Sequence, residues 1–179
     1  MPKRKVFITH YKGDRATVDD FITKWTDTND VFIPKVLGAN DNDDFIESTD
    51  TDYVMSQIRK KYLEDSTVTL VLLGTCTHSR RYVDWEIKSS LTQGDSTPNG
   101  LFCILLEGTS GKLPERFQKN WNSEGTGYAQ FYAQPSSSSQ LSGWIEEAFS
   151  ARTEKSNLIS NSQDMMKYNQ KCKTCDETH

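Results

Sequence analysis

An uncharged run from Thr67 to Leu73 constrains the fold more than any other segment of the sequence. It reads TVTLVLL, so it is β-branched or aliphatic throughout, and Gly74 follows it. A strand of this kind is buried on both faces, which is typical of the centre of a parallel sheet. The run Leu101–Leu106, LFCILL, predicts a second central strand of the same type.

Shorter strands and helical patterns alternate around these two runs. Further strands are predicted at 6–8, at 31–33 with Pro34 closing it, and at 128–132. Apolar residues at helical spacing predict helices that start at Asp14 as N-cap, near Asp52, at about Arg81 (running to Leu91) and within Ser136–Ser139. Strands alternating with helices predict an α/β fold with a mainly parallel sheet and helices on both faces, in a flavodoxin-like, doubly wound order.

The length predicts one domain. The chain has 179 residues, 35% of them hydrophobic and 26% charged. A low apolar share is compatible with a buried sheet when the polar residues lie in loops and at the C-terminal end. We predict a domain over residues 1–152 and a polar C-terminal tail or helix over residues 153–179, where apolar periodicity is lost.

Charge and hydropathy exclude two classes of partner. The formal net charge is −4 and no long basic run occurs, whereas a nucleic-acid-binding protein needs a concentrated basic face. No stretch approaches the roughly 18 apolar residues that span a bilayer, and the first apolar run is too short for a signal peptide. We therefore expect a cytoplasmic protein without nucleic-acid or membrane partners.

Ligand sites in doubly wound sheets lie beyond the carboxyl ends of the strands. This rule points to residues 9–14, 34–50, 74–82 and the loop after Leu106. Several chemistries of this fold are excluded there, because the sequence has no G-x-G-x-x-G after its first strand, no P-loop and no G-x-S-x-G elbow. The third strand also lacks the acidic end that a phospho-acceptor domain requires.

Two cysteines near the C-terminus resemble half of a metal site. Cys172 and Cys175 form a C-x-x-C pair, and His179 follows four positions later. A closed zinc site needs four ligands, and the sequence shows no second pair. An exposed tail with incidental cysteines is the favoured interpretation, and no metal is predicted.

A carboxylate and an aromatic side chain share one face of the predicted helix 81–91. Side chains at i and i+4 stand one above the other, so Tyr82 and Glu86 lie together, with Trp85 beside them. The alternative is that Glu86 is a solvated helix glutamate favoured by the helix dipole. Its position at the predicted ligand edge favours a functional role.

These segments resemble the TIR domain family, specifically the TIR-like branch of bacterial Thoeris anti-phage systems. Many NAD-cleaving TIR enzymes have aromatic-x-x-x-Glu on the helix after the third strand, usually with Trp first, and this chain has Tyr82-x-x-x-Glu86. The opening VFITHY (6–11), the segment YLEDSTVT (62–69) and YVDWEI (82–87) extend the resemblance over about residues 5–150.

The resemblance implies that the protein is an NAD glycohydrolase or ADP-ribosyl cyclase with Glu86 as its catalytic carboxylate. NAD would be the substrate, with no cofactor. The product would be a cyclic ADP-ribose isomer, a diffusible second messenger for a separate effector protein. The chemistry agrees, because breaking the nicotinamide–ribose bond makes the ribose carbon cationic, and one carboxylate can stabilise that charge. Nicotinamide leaves as a neutral molecule, so no second carboxylate is required as general acid.

The candidate substrate contacts lie at the same sheet edge. They are Phe7, Thr9, His10, Tyr11, Phe45, Tyr82 and Trp85. For each of them a purely structural role is the alternative, and Phe7 in particular is typical of a core residue. A rival function is a non-catalytic module that assembles through TIR–TIR contacts, which Tyr82 in place of Trp favours. A nucleotide sensor without turnover is a third interpretation, and the sequence leaves homo-oligomerisation open.

Overall fold

The computed structural model describes residues 2–36, 50–94 and 96–178. Within these ranges five parallel strands form one sheet in the order β2-β1-β3-β4-β5. The strands are β1 (Lys5–Thr9), β2 (Ile33–Val36), β3 (Val68–Leu73), β4 (Gly100–Leu105) and β5 (Gln130–Tyr132). This order is the flavodoxin-like one, so the predicted fold class is confirmed.

Five α-helices lie in the described ranges. They are α1 (Arg15–Ile22), α2 (Thr51–Ile58), α3 (Arg81–Leu91), α4 (Glu115–Gln118) and α5 (Ser138–Glu154). Wider, π-type turns at Thr23–Thr28 and Arg59–Leu63 continue α1 and α2. The bounds of α3 are those that the sequence predicts.

Helices cover both faces of the sheet, as a doubly wound fold requires. On one face Val18 and Phe21 of α1 and Leu141 and Ile145 of α5 pack against β1, β3 and β4. The opposite face carries α3 and α4, whose buried residues Val83, Ile87, Leu91 and Phe117 pack against β3 and β4. Near the end of β1, Phe7 packs in a third cluster with residues of α2, its following turn and α3: Val54, Ile58, Leu63 and Trp85.

The second strand differs from its prediction. The sequence predicts a strand at 31–33 that Pro34 closes, but β2 begins at Ile33 and includes Pro34, which pairs with Val6 of β1. Proline is tolerated there because β2 is the edge strand, where one side of the backbone needs no hydrogen-bond donor.

Two helices start where the sequence predicts. Asp14 stands at the N-cap position of α1, although its side chain makes no capping hydrogen bond. The cap of α2, predicted at or near Asp52, is Asp50, whose side chain accepts hydrogen bonds from the backbone N–H groups of Asp52 and Tyr53. Helix α4 lies in a stretch that the sequence predicts as mostly loop.

The segment after α5 packs along α3 and the turn before it. The Trp85 indole Nε1 donates to the Met166 carbonyl at 2.8 Å, and the Gln170 N–H donates to the Ser79 carbonyl at 2.9 Å. The expectation of incidental, exposed cysteines is wrong for Cys172, which is fully buried.

None of the helices in the described ranges combines the length and the apolar composition that crossing a bilayer requires.

Candidate active site

Thr9 and Glu86 meet at the carboxyl edge of the sheet. Thr9 is the last residue of β1 and pairs with Val71 of the central strand β3. Glu86 lies on α3, which follows β3 after a short turn. The Thr9 hydroxyl donates a hydrogen bond to the Glu86 Oε2 atom. The structure therefore brings together two of the residues that the sequence predicts for the site.

The Glu86 carboxyl group is buried. The residue is 4% exposed and Thr9 is fully buried, so the solvated helix glutamate of the alternative interpretation is not what the structure shows. Burial raises the pKa of Glu86 to about 8, although the hydrogen bond from Thr9 lowers it. At neutral pH most molecules in this conformation therefore carry a protonated Glu86.

Aromatic side chains pack together on the side of β1 that faces α3. The rings of Tyr82 and Trp85 meet edge to face with their centroids 5.3 Å apart. The Arg81 guanidinium lies 5.1 Å from the Tyr82 ring centroid and 5.3 Å from that of Trp85. Phe7 is two residues before Thr9 on β1, hence on the same face, and packs in one cluster with Trp85. These three predicted contacts therefore share the α3 side of β1 with Glu86.

His10 and Tyr11 also follow the end of β1, and arginine side chains lie close to both. Burial, and then the charge of Arg15 on α1, lowers the pKa of His10 to about 4, so this side chain is neutral at physiological pH. The Arg80 guanidinium lies 5.2 Å from the Tyr11 ring centroid. Both residues lie at the predicted edge.

The predicted contact Phe45 lies outside the described residues. Its neighbour Ile46 does so too, within the polar segment that follows β2.

A buried ion pair supports the first turns of α3, and sequence reasoning missed it. The fully buried Arg116 of α4 donates from Nε to Asp84 Oδ1 at 2.8 Å and from Nη2 to Asp84 Oδ2 at 3.2 Å. The Met166 N–H adds a hydrogen bond to Asp84 Oδ2 at 2.9 Å. Arg116 lies 32 residues from Asp84 in a polar stretch, so no local sequence pattern connects the two.

A polar cleft of about 580 Å³ opens at the other edge of the sheet. Its lining includes Ser66 and Thr67 before β3, Asn99 before β4, and Arg59 after α2. Because ligand sites in this fold lie beyond the carboxyl ends of the strands, the cleft falls outside the predicted site.

Comparison with known protein families gives a match to one family model. A family model described as Thoeris protein ThsB, TIR-like domain, matches residues 7–110. The match covers more than half of the chain, from β1 to beyond β4, and includes Thr9 and Glu86. None of the curated proteins matches the sequence.

Proposed function

Because the chain belongs to the TIR-like domain family of Thoeris protein ThsB, we propose that it cleaves NAD, with Glu86 as the catalytic carboxylate. Membership in a Thoeris family indicates a part in anti-phage defence. In the proposed reaction the bond between nicotinamide and ribose breaks, and both electrons of that bond leave with the nicotinamide.

The observation that supports the proposal most is the buried Glu86 carboxyl group held by Thr9 at the carboxyl edge of the sheet. A negative charge in such a low-dielectric position interacts strongly with a cation formed next to it. Bond cleavage makes the ribose carbon cationic, so an ionised Glu86 beside it stabilises the transition state more than the ground state.

The raised pKa of Glu86 fits a substrate that carries its own positive charge. The nicotinamide ring of NAD is cationic, and an opposite charge nearby favours the ionised form of a carboxyl group. Binding of NAD therefore lowers the pKa of Glu86 and releases its proton. The Thr9 hydroxyl, already a donor to Glu86, stabilises the same anion.

The fate of the ADP-ribose depends on what attacks the cationic ribose carbon. Attack by water gives ADP-ribose, and attack by a hydroxyl or ring nitrogen of the same molecule gives a cyclic isomer. A dry site favours the second outcome because it excludes the competing water. We propose cyclisation, with the cyclic product acting as a second messenger that a separate effector protein binds.

The second candidate function is a non-catalytic module that works through TIR–TIR contacts. Two observations favour it: Tyr82 stands where the NAD-cleaving enzymes usually have Trp, and Glu86 is 4% exposed. This candidate requires that cellular NAD stays constant in every state of the protein.

Nucleotide profiling of cells tests the proposal. Cells that express the wild-type chain or the E86Q variant are analysed by mass spectrometry with and without phage challenge. We expect challenged wild-type cells to lose NAD and to gain nicotinamide and a cyclic ADP-ribose isomer. E86Q cells should keep their NAD, because the amide cannot become an anion.

The matched control is E115Q, which removes an exposed carboxylate on α4. Challenged E115Q cells should resemble wild-type cells. NAD loss in E86Q cells equal to that in wild-type cells, at equal protein levels, contradicts the role of Glu86. Constant NAD in all three strains, despite protection from phage, favours the interaction module.

A further inference from the structure

Three thiol groups come together where the C-terminal segment meets the turn before α3. Their sulfur atoms, from Cys76, Cys172 and Cys175, all lie within 4.8 Å of one another. The sulfur atoms of Cys76 and Cys175 are 3.3 Å apart, and the structure joins none of the three cysteines in a disulfide. Cys76 lies 96 positions before Cys172 in the sequence, so only the fold reveals that the C-x-x-C pair has a third member.

The backbone around the C-x-x-C pair forms a hydrogen-bonded turn. The Cys175 N–H donates to Cys172 Sγ at 3.5 Å, and the Asp176 N–H donates to the Cys172 carbonyl at 2.9 Å. Asp176, directly after the second cysteine, has a φ of 64°. That left-handed conformation is uncommon for a residue other than glycine, although aspartate tolerates it better than most. A hydrogen bond from the Cys172 N–H to the Glu177 carbonyl at 2.8 Å closes this tight turn.

We propose that Cys76, Cys172 and Cys175 bind one Zn²⁺ ion through three thiolates, with a water molecule in the fourth tetrahedral position. Thiolates select zinc among the common divalent ions, and Zn–S bonds of about 2.3 Å in a tetrahedral site place the sulfur atoms about 3.8 Å apart. The observed separations need only small side-chain shifts to reach that spacing. Three thiolates and one Zn²⁺ carry a net charge of −1, because each thiol loses its proton on binding.

A backbone hydrogen bond also joins the two parts of the chain beside the cluster. The Lys173 N–H donates to His78 Nε2 at 3.3 Å, and His78 lies two residues after Cys76. This contact connects the turn before α3 to the C-x-x-C turn.

A zinc ion here would fix the C-terminal segment to the helix that carries Glu86. Cys76 lies in the turn between β3 and α3, and Cys172 and Cys175 lie in the segment that packs along α3. The two parts also share hydrogen bonds, such as the one from Gln170 to Ser79. The metal would replace weak contacts between two distant parts of the chain by strong bonds.

Metal titration of the full chain tests the site. The protein is purified under reducing conditions, stripped with a chelator and titrated with Co²⁺ and then Zn²⁺. We expect one equivalent of Co²⁺ to produce the intense absorption of tetrahedral thiolate–cobalt, and Zn²⁺ to abolish it. The protein as isolated should contain about one zinc per chain by elemental mass spectrometry.

Serine variants identify the ligands. C172S and C175S should lose the cobalt spectrum and the stoichiometric zinc, and C175S removes an exposed side chain, so it tests the site even if a buried variant fails to fold. The matched control is C103S, a buried cysteine of β4 outside the cluster, which should keep both signals. The proposal is overturned if reduced wild-type protein binds neither metal, or if C172S and C175S retain a full equivalent.

Discussion

The chemistry of Glu86 follows from where its carboxyl group is placed. A glutamate in the middle of α3 is ordinary in sequence, but here it is 4% exposed and its polar contact is the Thr9 hydroxyl. Loss of hydration outweighs that hydrogen bond, and the pKa rises to about 8 from a usual value near 4.5. The folded protein therefore holds a proton on Glu86 that the unfolded chain has lost at neutral pH.

The pH dependence of stability tests this placement. Because the pKa is raised by folding, the stability that the protonated form provides is fully present below about pH 4.5 and is lost as pH rises through about 8. E86Q cannot lose this proton. We expect the melting temperature of E86Q to rise relative to wild type by several degrees between pH 5 and pH 8.5, as measured by differential scanning calorimetry.

E115Q again serves as the control and should follow wild type over this pH range. Parallel curves for E86Q and wild type would mean that Glu86 is solvated in the folded protein.

At this scale the sequence predicts which residues lie near each other better than how they interact. Helical spacing places Tyr82 beside Glu86, and the end of β1 places Thr9 at the ligand edge. The hydrogen bond between Thr9 and Glu86 joins residues 77 positions apart, so no periodicity contains it. Burial of Glu86 likewise depends on tertiary packing.

Helix α3 is the element that organises the site, and distant partners hold it. Asp84 in its first turn accepts two hydrogen bonds from Arg116 of α4 and one from the Met166 N–H. Both charges are buried, so removal of either residue leaves the other charge buried without its partner, which destabilises the fold.

Removal of Arg116 tests this support. R116A leaves Asp84 buried without its cation, which typically costs about 3–5 kcal/mol in free energy of unfolding. The matched control is K119A at the C-cap of the same helix, which removes an exposed i,i+4 pair with Glu115 and should cost at most about 0.5 kcal/mol. Urea unfolding of both variants measures the difference, and equal losses would show that the Arg116–Asp84 pair is not buried in solution.

The sequence predicts the strands and helices whose residues show one clear hydrophobic pattern. The uncharged run at Thr67–Leu73 and the amphipathic pattern of α3 identify those elements because burial on the sheet demands such residues. Strand β2 is misplaced because Pro34 is compatible with an edge strand, and sequence does not show which strand lies at the edge. Helix α4 is missed because its four residues are too few to show a period.

In the whole molecule, the C-terminal segment is part of the packed structure around α3. Its polar composition suggests a tail, yet its backbone makes specific hydrogen bonds. The N–H groups of Met166, Gln170 and Cys172 donate to Asp84, Ser79 and Glu177 respectively. Composition misses this because backbone groups make these hydrogen bonds, and the few apolar residues of the segment, such as Ile159 and Met165, are too sparse to show a pattern.

Amide hydrogen exchange tests that packing. We expect the amides of Met166, Gln170 and Cys172 to exchange at least about tenfold more slowly than in an unstructured peptide, because each is hydrogen-bonded in the folded chain. The amides of β3 serve as the protected reference in the same experiment. Exchange throughout 160–178 at the rate of an unstructured peptide would show that this segment is detached in solution.

The central claim is that an ionised Glu86 lies next to the ribose carbon of bound NAD when the nicotinamide bond breaks. Nicotinamide release from NAD by purified protein, in extract from phage-infected cells that lack the gene, measures this most directly. We predict a rate for E86Q that is at least about 100-fold below that of wild type, with E115Q unchanged. Release by E86Q at the wild-type rate would contradict the claim.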